Sequence, residues 1–143
     1  MNRSGILLDT GPLVAFLNRR DRHHRWARVR LGEETTPLWT CEAVVSEACF
    51  LLRGTREGPR AVLELLARGA IRVAFHLEDH LAEVARLMAR YASVPMSLAD
   101  ACLVRMAEQH PDSRVLTADR DFTLYRKHAR HAIPTVMPNH SGT

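Results

Sequence analysis

A chain of 143 residues, 46% apolar and 25% charged, has room for one core and reads as one globular domain, which excludes disorder as its basic state. No apolar run approaches the ~18 residues of a membrane span, residues 1–5 carry no signal-peptide apolar region, and Cys41, Cys49 and Cys102 form no Cys-x-x-Cys pair, so the expectation is a cytoplasmic protein without membrane contact, disulfide framework or cysteine zinc site. The formal charge of +4 and pI near 9.5 come almost wholly from arginine, the side chain best shaped for phosphate, so nucleic acid is a plausible partner.

The first unit is Ile6-Leu7-Leu8-Asp9-Thr10-Gly11-Pro12. Three apolar residues read as a short buried strand, Gly11 and Pro12 as a turn, and Pro12 as the first position of an apolar helix over residues 12–17. Asp9 therefore lies between a strand and a helix, where a carboxylate ordinarily caps free backbone N–H groups. Arg19, Arg20, Arg22, Arg25, Arg28 and Arg30 then form the densest cation patch, partly on a short helix beginning near His23 with Trp26, Val29 and Leu31 on its apolar side. Such a patch suits either a solvated face or a phosphate backbone.

Residues 37–40 read as a short strand or an extended entry, with Thr40 capping a helix to about Arg53. Glu47 falls inside that helix's apolar stripe of Val44, Ala48, Leu51 and Leu52, so it needs a partner, an exposed cleft or an edge position. A further helix over residues 60–68 stops at Gly69, residues 70–75 read as a strand, and a long amphipathic helix spans residues 77–91. His76 and His80 are four apart, but no third ligand accompanies them, which leaves solvated histidines as the expectation.

After the break at Val94-Pro95-Met96 comes a helix opened by Ser97, with Asp100 at capping-box spacing. Residues 113–117 read as a strand ending in Ala118-Asp119-Arg120-Asp121-Phe122, so Asp119 again lies between a strand and a helix. Residues 133–137 read as a last strand. The domain is expected over residues 1–137, with 138–143 as a C-terminal tail.

Strands alternating with helices predict an α/β domain with a mainly parallel sheet, whose functional crevice lies beyond the carboxyl ends of the strands. Asp9 and Asp119 belong at that edge by their sequence position, and Glu47 and Asp100 lie on helices able to face it. Converging carboxylates oppose one another's ionisation, and a divalent cation resolves this; hard oxygen ligands without His or Cys favour Mg²⁺ or Mn²⁺. Such a cluster can activate a water against a phosphodiester while the arginines Arg19, Arg20, Arg22 and Arg25 hold the polymer.

Leu7-Leu8-Asp9-Thr10-Gly11-Pro12-Leu13, Val45-Ser46-Glu47, Leu98-Ala99-Asp100-Ala101 and Leu116-Thr117-Ala118-Asp119-Arg120-Asp121-Phe122 resemble, in order and spacing, the four acidic motifs of PIN-domain ribonucleases, including the VapC-type toxins. The resemblance implies a Rossmann-like three-layer α/β/α sandwich and Mg²⁺- or Mn²⁺-dependent endonucleolytic cleavage of RNA. It also implies that Asp9 and Asp100 are the chief metal ligands, with Glu47 and Asp119 completing the pocket, Asp119 included among the metal ligands. Thr117 is implied as a hydroxyl helper and Asp121 as an extra acid. A homodimer and a small antitoxin partner, as in a type II toxin-antitoxin pair, follow from the same resemblance. Two other readings remain beside it. One is a PIN-like module that binds RNA or protein without turnover. The other takes Asp9-Thr10-Gly11 as the Asp-Thr-Gly of aspartic proteases, which are β-rich, whereas here the motif leads directly into an apolar helix.

Overall fold

The computed structural model describes residues 5–139; most of residues 1–5 and of the expected tail, namely 1–4 and 140–143, lie outside the described residues, while Pro138 is buried. Five short strands form one parallel sheet: β1 (Ile6–Leu8), β2 (Leu38–Thr40), β3 (Ile71–Val73), β4 (Arg114–Leu116) and, as the last, β7 (Thr135–Val136), in spatial order β3-β2-β1-β4-β7. Leu7 and Leu8 on β1 and Val115 on β4 are almost wholly buried, as expected of strands covered on both faces. Among the described residues, six α-helices connect the strands: α1 (Thr10–Leu17), α2 (His24–Gly32), α3 (Glu42–Leu51), α4 (Gly58–Ala67), α5 (Leu81–Arg90) and α6 (Leu98–Gln109).

The steps β1→β2→β3 run one way across the sheet, and the chain then returns past β1 to β4. Right-handed crossovers therefore put the helices of the first two connections on one face and α5 and α6 on the other. The result is the expected α/β/α sandwich. The order of strands reverses between β1 and β4, and the crevice of such a sheet opens beyond the carboxyl ends of that pair. Asp9 follows β1 directly, and its backbone N–H donates to Leu116 O of β4 at 3.0 Å, so the first acid is fixed at the switch point.

Several local expectations are corrected. The first helix begins at Thr10, not Pro12; Asp9 is its N-cap, and Pro12 sits within the first turn, where the missing N–H has no intrahelical acceptor anyway. Cys41, not Thr40, is the N-cap of α3, and the Thr40 hydroxyl instead donates to Leu8 O at 2.8 Å, tying β2 to β1. Leu51 (55% exposed) and Val29 (55%) stand in solvent rather than in the stripes assigned to them; Ala27 and Leu31 bury the α2 face. The helix expected over residues 77–91 opens as a 3-10 turn (Leu77–His80) before α5. His80 stacks on Phe75 and accepts from Arg105 Nε.

The helix expected after Asp119 is one 3-10 turn (Arg120–Thr123), followed by an unforeseen hairpin, β5 (Arg126–Lys127) and β6 (His131–Ala132). No helix among the described residues is long and apolar enough to cross a membrane.

Candidate active site: an acidic cleft at the sheet's switch point

The cleft beyond β1 and β4 has a volume of about 460 Å³ and is lined by Asp9, Glu47, Asp100, Asp119 and Asp121, with Thr10, Ser97, Ala118, Gly11 and Pro95 between them. The four acids singled out in the sequence, and the auxiliary Asp121, thus meet in one place. Among the described residues, no Lys, Arg or His lines the cleft with them.

Each acid is held differently. Asp9 is 5% exposed; one carboxylate oxygen accepts the Thr10 N–H at 2.7 Å and the other accepts the Thr117 hydroxyl at 2.7 Å. Thr117, wholly buried at the end of β4, also accepts the Asp119 N–H at 2.9 Å, so one hydroxyl joins the first and last acids. Asp119 is exposed, and its side chain caps the following 3-10 turn by accepting the Asp121 N–H at 2.9 Å.

Glu47 resolves its position in the apolar stripe by lying at the stripe's edge on the cleft side. It is exposed, and Thr10 Oγ1 donates to it at 2.7 Å. Ser97 caps α6 as expected, accepting the Asp100 N–H at 3.0 Å. Asp100 is 8% exposed, and its carboxylate accepts the phenol of Tyr125 at 2.8 Å. Tyr125 is itself wholly buried and packs edge-on against Phe122 and Tyr91. Neither Tyr125 nor the Thr10 hydroxyl stands out from the sequence pattern; each lies against one of the acids, Asp100 and Glu47.

The electrostatics follow from burial and crowding. Burial pushes the Asp9 carboxyl up to about 7, against the hydrogen bonds from Thr117 and Thr10, and repulsion from Asp100 and Asp119 adds to it. Burial likewise raises Asp100, which the Tyr125 hydroxyl partly offsets. Asp121 is raised by burial and by Asp119. Tyr125 is pushed above its ordinary range by burial and by Asp100, so it stays a hydrogen-bond donor. The cleft therefore carries uncompensated negative charge, a condition that a bound cation relieves.

The donors are hard carboxylate and hydroxyl oxygens, which suit Mg²⁺ or Mn²⁺ rather than zinc. Among the described residues no three His, Cys, Asp or Glu side chains close into a ready-made cage. An open arrangement fits Mg²⁺, which keeps several waters and needs only one or two carboxylates from the protein.

Of the arginines expected to hold nucleic acid, Arg19 and Arg20 are exposed in the loop after α1, and both line a second groove, distinct from the acidic cleft. Arg22 donates to His23 Nε2 at 3.2 Å, and Arg25 is exposed on α2; neither lines that groove.

The PIN domain family model matches residues 6–127. Ribonuclease VapC26 of Mycobacterium tuberculosis is 28% identical over 118 residues, covering 80% of this chain and 87% of the relative. The crystal structure of VapC20 of Mycobacterium tuberculosis, described as a Sarcin-Ricin loop cleaving toxin, superposes with a TM-score of 0.76 at 20% identity, covering 84% of this chain and 94% of that one.

Proposed function

The chain belongs to the PIN-domain family, and we propose that its acidic cleft is the active site of a Mg²⁺- or Mn²⁺-dependent endoribonuclease of the VapC toxin type. The observation that carries the proposal is the meeting of Asp9, Glu47, Asp100 and Asp119 in one cleft, with no basic side chain from the described residues among them. An oxygen-only donor set at the switch point of a parallel sheet is suited to a hard divalent ion and to little else. The relatives support RNA as the substrate: one is named a ribonuclease and the other a loop-cleaving toxin.

In this reading Asp9 and Asp100 are the principal ligands, because both are buried and each is fixed by a neutral hydroxyl donor that leaves its charge intact. Asp119 joins them at the exposed side. A divalent ion held by these acids would supply positive charge against the phosphoryl oxygens and make a nearby water more acidic. Glu47 and Asp119 are the solvent-facing acids, and either can take a proton from the attacking water; Thr10 holds Glu47 at the cleft wall for that work. Asp121 adds negative charge at the rim. The same reading carries a homodimer and a small antitoxin protein as partners, supported by the toxin likeness and by exposed Phe50, Leu51 and Leu63 on α3 and α4.

The test is incubation of the purified chain with end-labelled single-stranded and stem-loop RNAs in Mg²⁺, in Mn²⁺ and in EDTA. Internal cuts that vanish with chelator are expected. Stable RNA binding with no cuts in either metal contradicts the enzyme reading in favour of a binding module.

A further inference from the structure

The second groove, about 650 Å³, lies between the loop that follows α1 and the turn joining α3 to α4, and is lined by Arg19, Arg20 and Arg56. We propose that these three guanidinium groups form a phosphate-binding subsite for the RNA backbone away from the scissile bond. This inference rests on the ribonuclease reading for the identity of the polymer.

Three observations carry it. First, α1 and α3 run side by side from the acidic cleft to the groove: Thr10 touches Glu47 at one end, and Leu17 lies with Gly54 and Thr55 at the other. The eight residues of α1 span about 12 Å, so a single strand leaving the cleft along these helices reaches the groove directly.

Second, the charges there are uncommitted. Arg19, Arg20 and Arg56 are exposed, and among the described residues none has a carboxylate within ion-pair distance; Glu57 is the one acid in the lining. The neighbouring Arg53 is occupied instead, its guanidinium 3.8 Å from the centre of the Phe50 ring and donating to Phe50 O.

Third, the segments that present these cations are pinned. The side chain of Asn18 accepts the Arg20 N–H at 3.0 Å, and Thr55 Oγ1 donates to Leu52 O at 2.8 Å while accepting the Gly58 N–H at 3.0 Å. Arginines on fixed loops lose less freedom on binding phosphate than arginines on mobile ones. Arg56 comes from a turn far from the arginine-dense stretch in sequence, and the fold brings it to Arg19 and Arg20.

The test measures binding rather than turnover: fluorescence anisotropy of a labelled 12-nucleotide single-stranded RNA in EDTA, over a series of salt concentrations. The full chain is compared with the triple variant Arg19→Ala/Arg20→Ala/Arg56→Ala and with a charge-matched control, Arg72→Ala/Arg86→Ala/Arg90→Ala. The groove variant is expected to bind about tenfold or more weakly and to lose about 1–2 from the slope of log affinity against log salt, at about 0.7 per phosphate contact, while the control stays near the full chain. Equal losses in the two variants mean bulk charge alone and overturn the subsite. So does an unchanged groove variant, or competition by oligoglutamate as effective as by RNA of the same charge, which marks the groove as a site for acidic peptide. Failure of the ribonuclease reading is seen separately, as intact binding by the full chain without divalent-dependent cuts.

Discussion

The phenol of Tyr125 donates a 2.8 Å hydrogen bond to the Asp100 carboxylate, so the acid at the start of α6 is oriented by a wholly buried ring from the segment after β4. Because burial and the neighbouring carboxylate keep that phenol protonated, it holds Asp100 without neutralising it. Tyr125→Phe keeps the packing against Phe122 and Tyr91 and removes only the donor. Divalent-ion affinity and RNA cleavage should each fall about tenfold to a hundredfold, in line with the ~1.5–3 kcal/mol of a hydrogen bond to a charged group. Calorimetric titration with Mn²⁺ checks the first and single-turnover kinetics the second; a variant with unaltered ion affinity removes Tyr125 from any positioning role.

Thr117 serves two acids through one hydroxyl, donating to Asp9 and accepting from the Asp119 backbone. Thr117→Val leaves the buried Asp9 oxygen without its donor and the Asp119 N–H without its acceptor, and a loss of about 1–3 kcal/mol in urea unfolding is expected together with reduced cleavage. Thr117→Ser restores the hydroxyl and should recover most of the activity. If valine and serine behave alike, the hydroxyl is not what joins these acids.

Stability should depend on pH in an unusual direction. The Asp9 carboxyl titrates near 7 in the folded chain and near its ordinary 3.8 when unfolded, so between these values the folded state binds the extra proton. Without divalent ions, stability from this group is therefore greatest at low pH, falls as pH rises from about 4 to 7, and levels off above that, by a few kcal/mol at most. Thermal melts in EDTA across this range measure it, and Asp9→Asn should flatten that part of the profile. If the unaltered chain and Asp9→Asn show the same slope through this window, Asp9 does not carry the raised carboxyl.

Adding Mg²⁺ or Mn²⁺ should raise the melting temperature at pH 8, where the carboxylates are ionised, and much less at pH 5, where protons compete for the same oxygens. Equal stabilisation at both values points to ions bound elsewhere on the surface.

Much of this arrangement was legible in the sequence for a simple reason. Asp9 directly follows the buried strand β1, and Asp119 comes just past β4, whose Val115 and Leu116 are buried; in a parallel sheet that position is itself the functional edge. Glu47 was legible as a carboxylate out of place in an apolar stripe, although the stripe's register near Leu51 was not, because helix ends leave their last residues free to face solvent. The helix α1 starts two residues before Pro12, because proline is tolerated throughout a first turn and so does not mark its first position.

Tyr125 gave no signal, since an aromatic residue near an acid in sequence usually packs elsewhere. The hairpin of β5 and β6 was also silent: its turn uses His128 and Ala129 at positive φ (49° and 66°), without the Asn-Gly or Asp-Gly pair that marks such turns. The groove required the fold, because Arg56 joins Arg19 and Arg20 only when α1 and α3 lie side by side.

The claim on which the rest depends is that the clustered carboxylates hold a divalent ion for RNA cleavage. It is tested by assaying the purified chain, Asp9→Asn and Asp100→Asn together on one labelled RNA, in Mn²⁺ and in EDTA, with circular dichroism on each protein. The expected result is chelator-sensitive cleavage by the unaltered chain and loss of at least about a hundredfold in each variant, with both still folded. Folded variants that cut as fast as the unaltered chain, or cleavage that persists in EDTA, would contradict it.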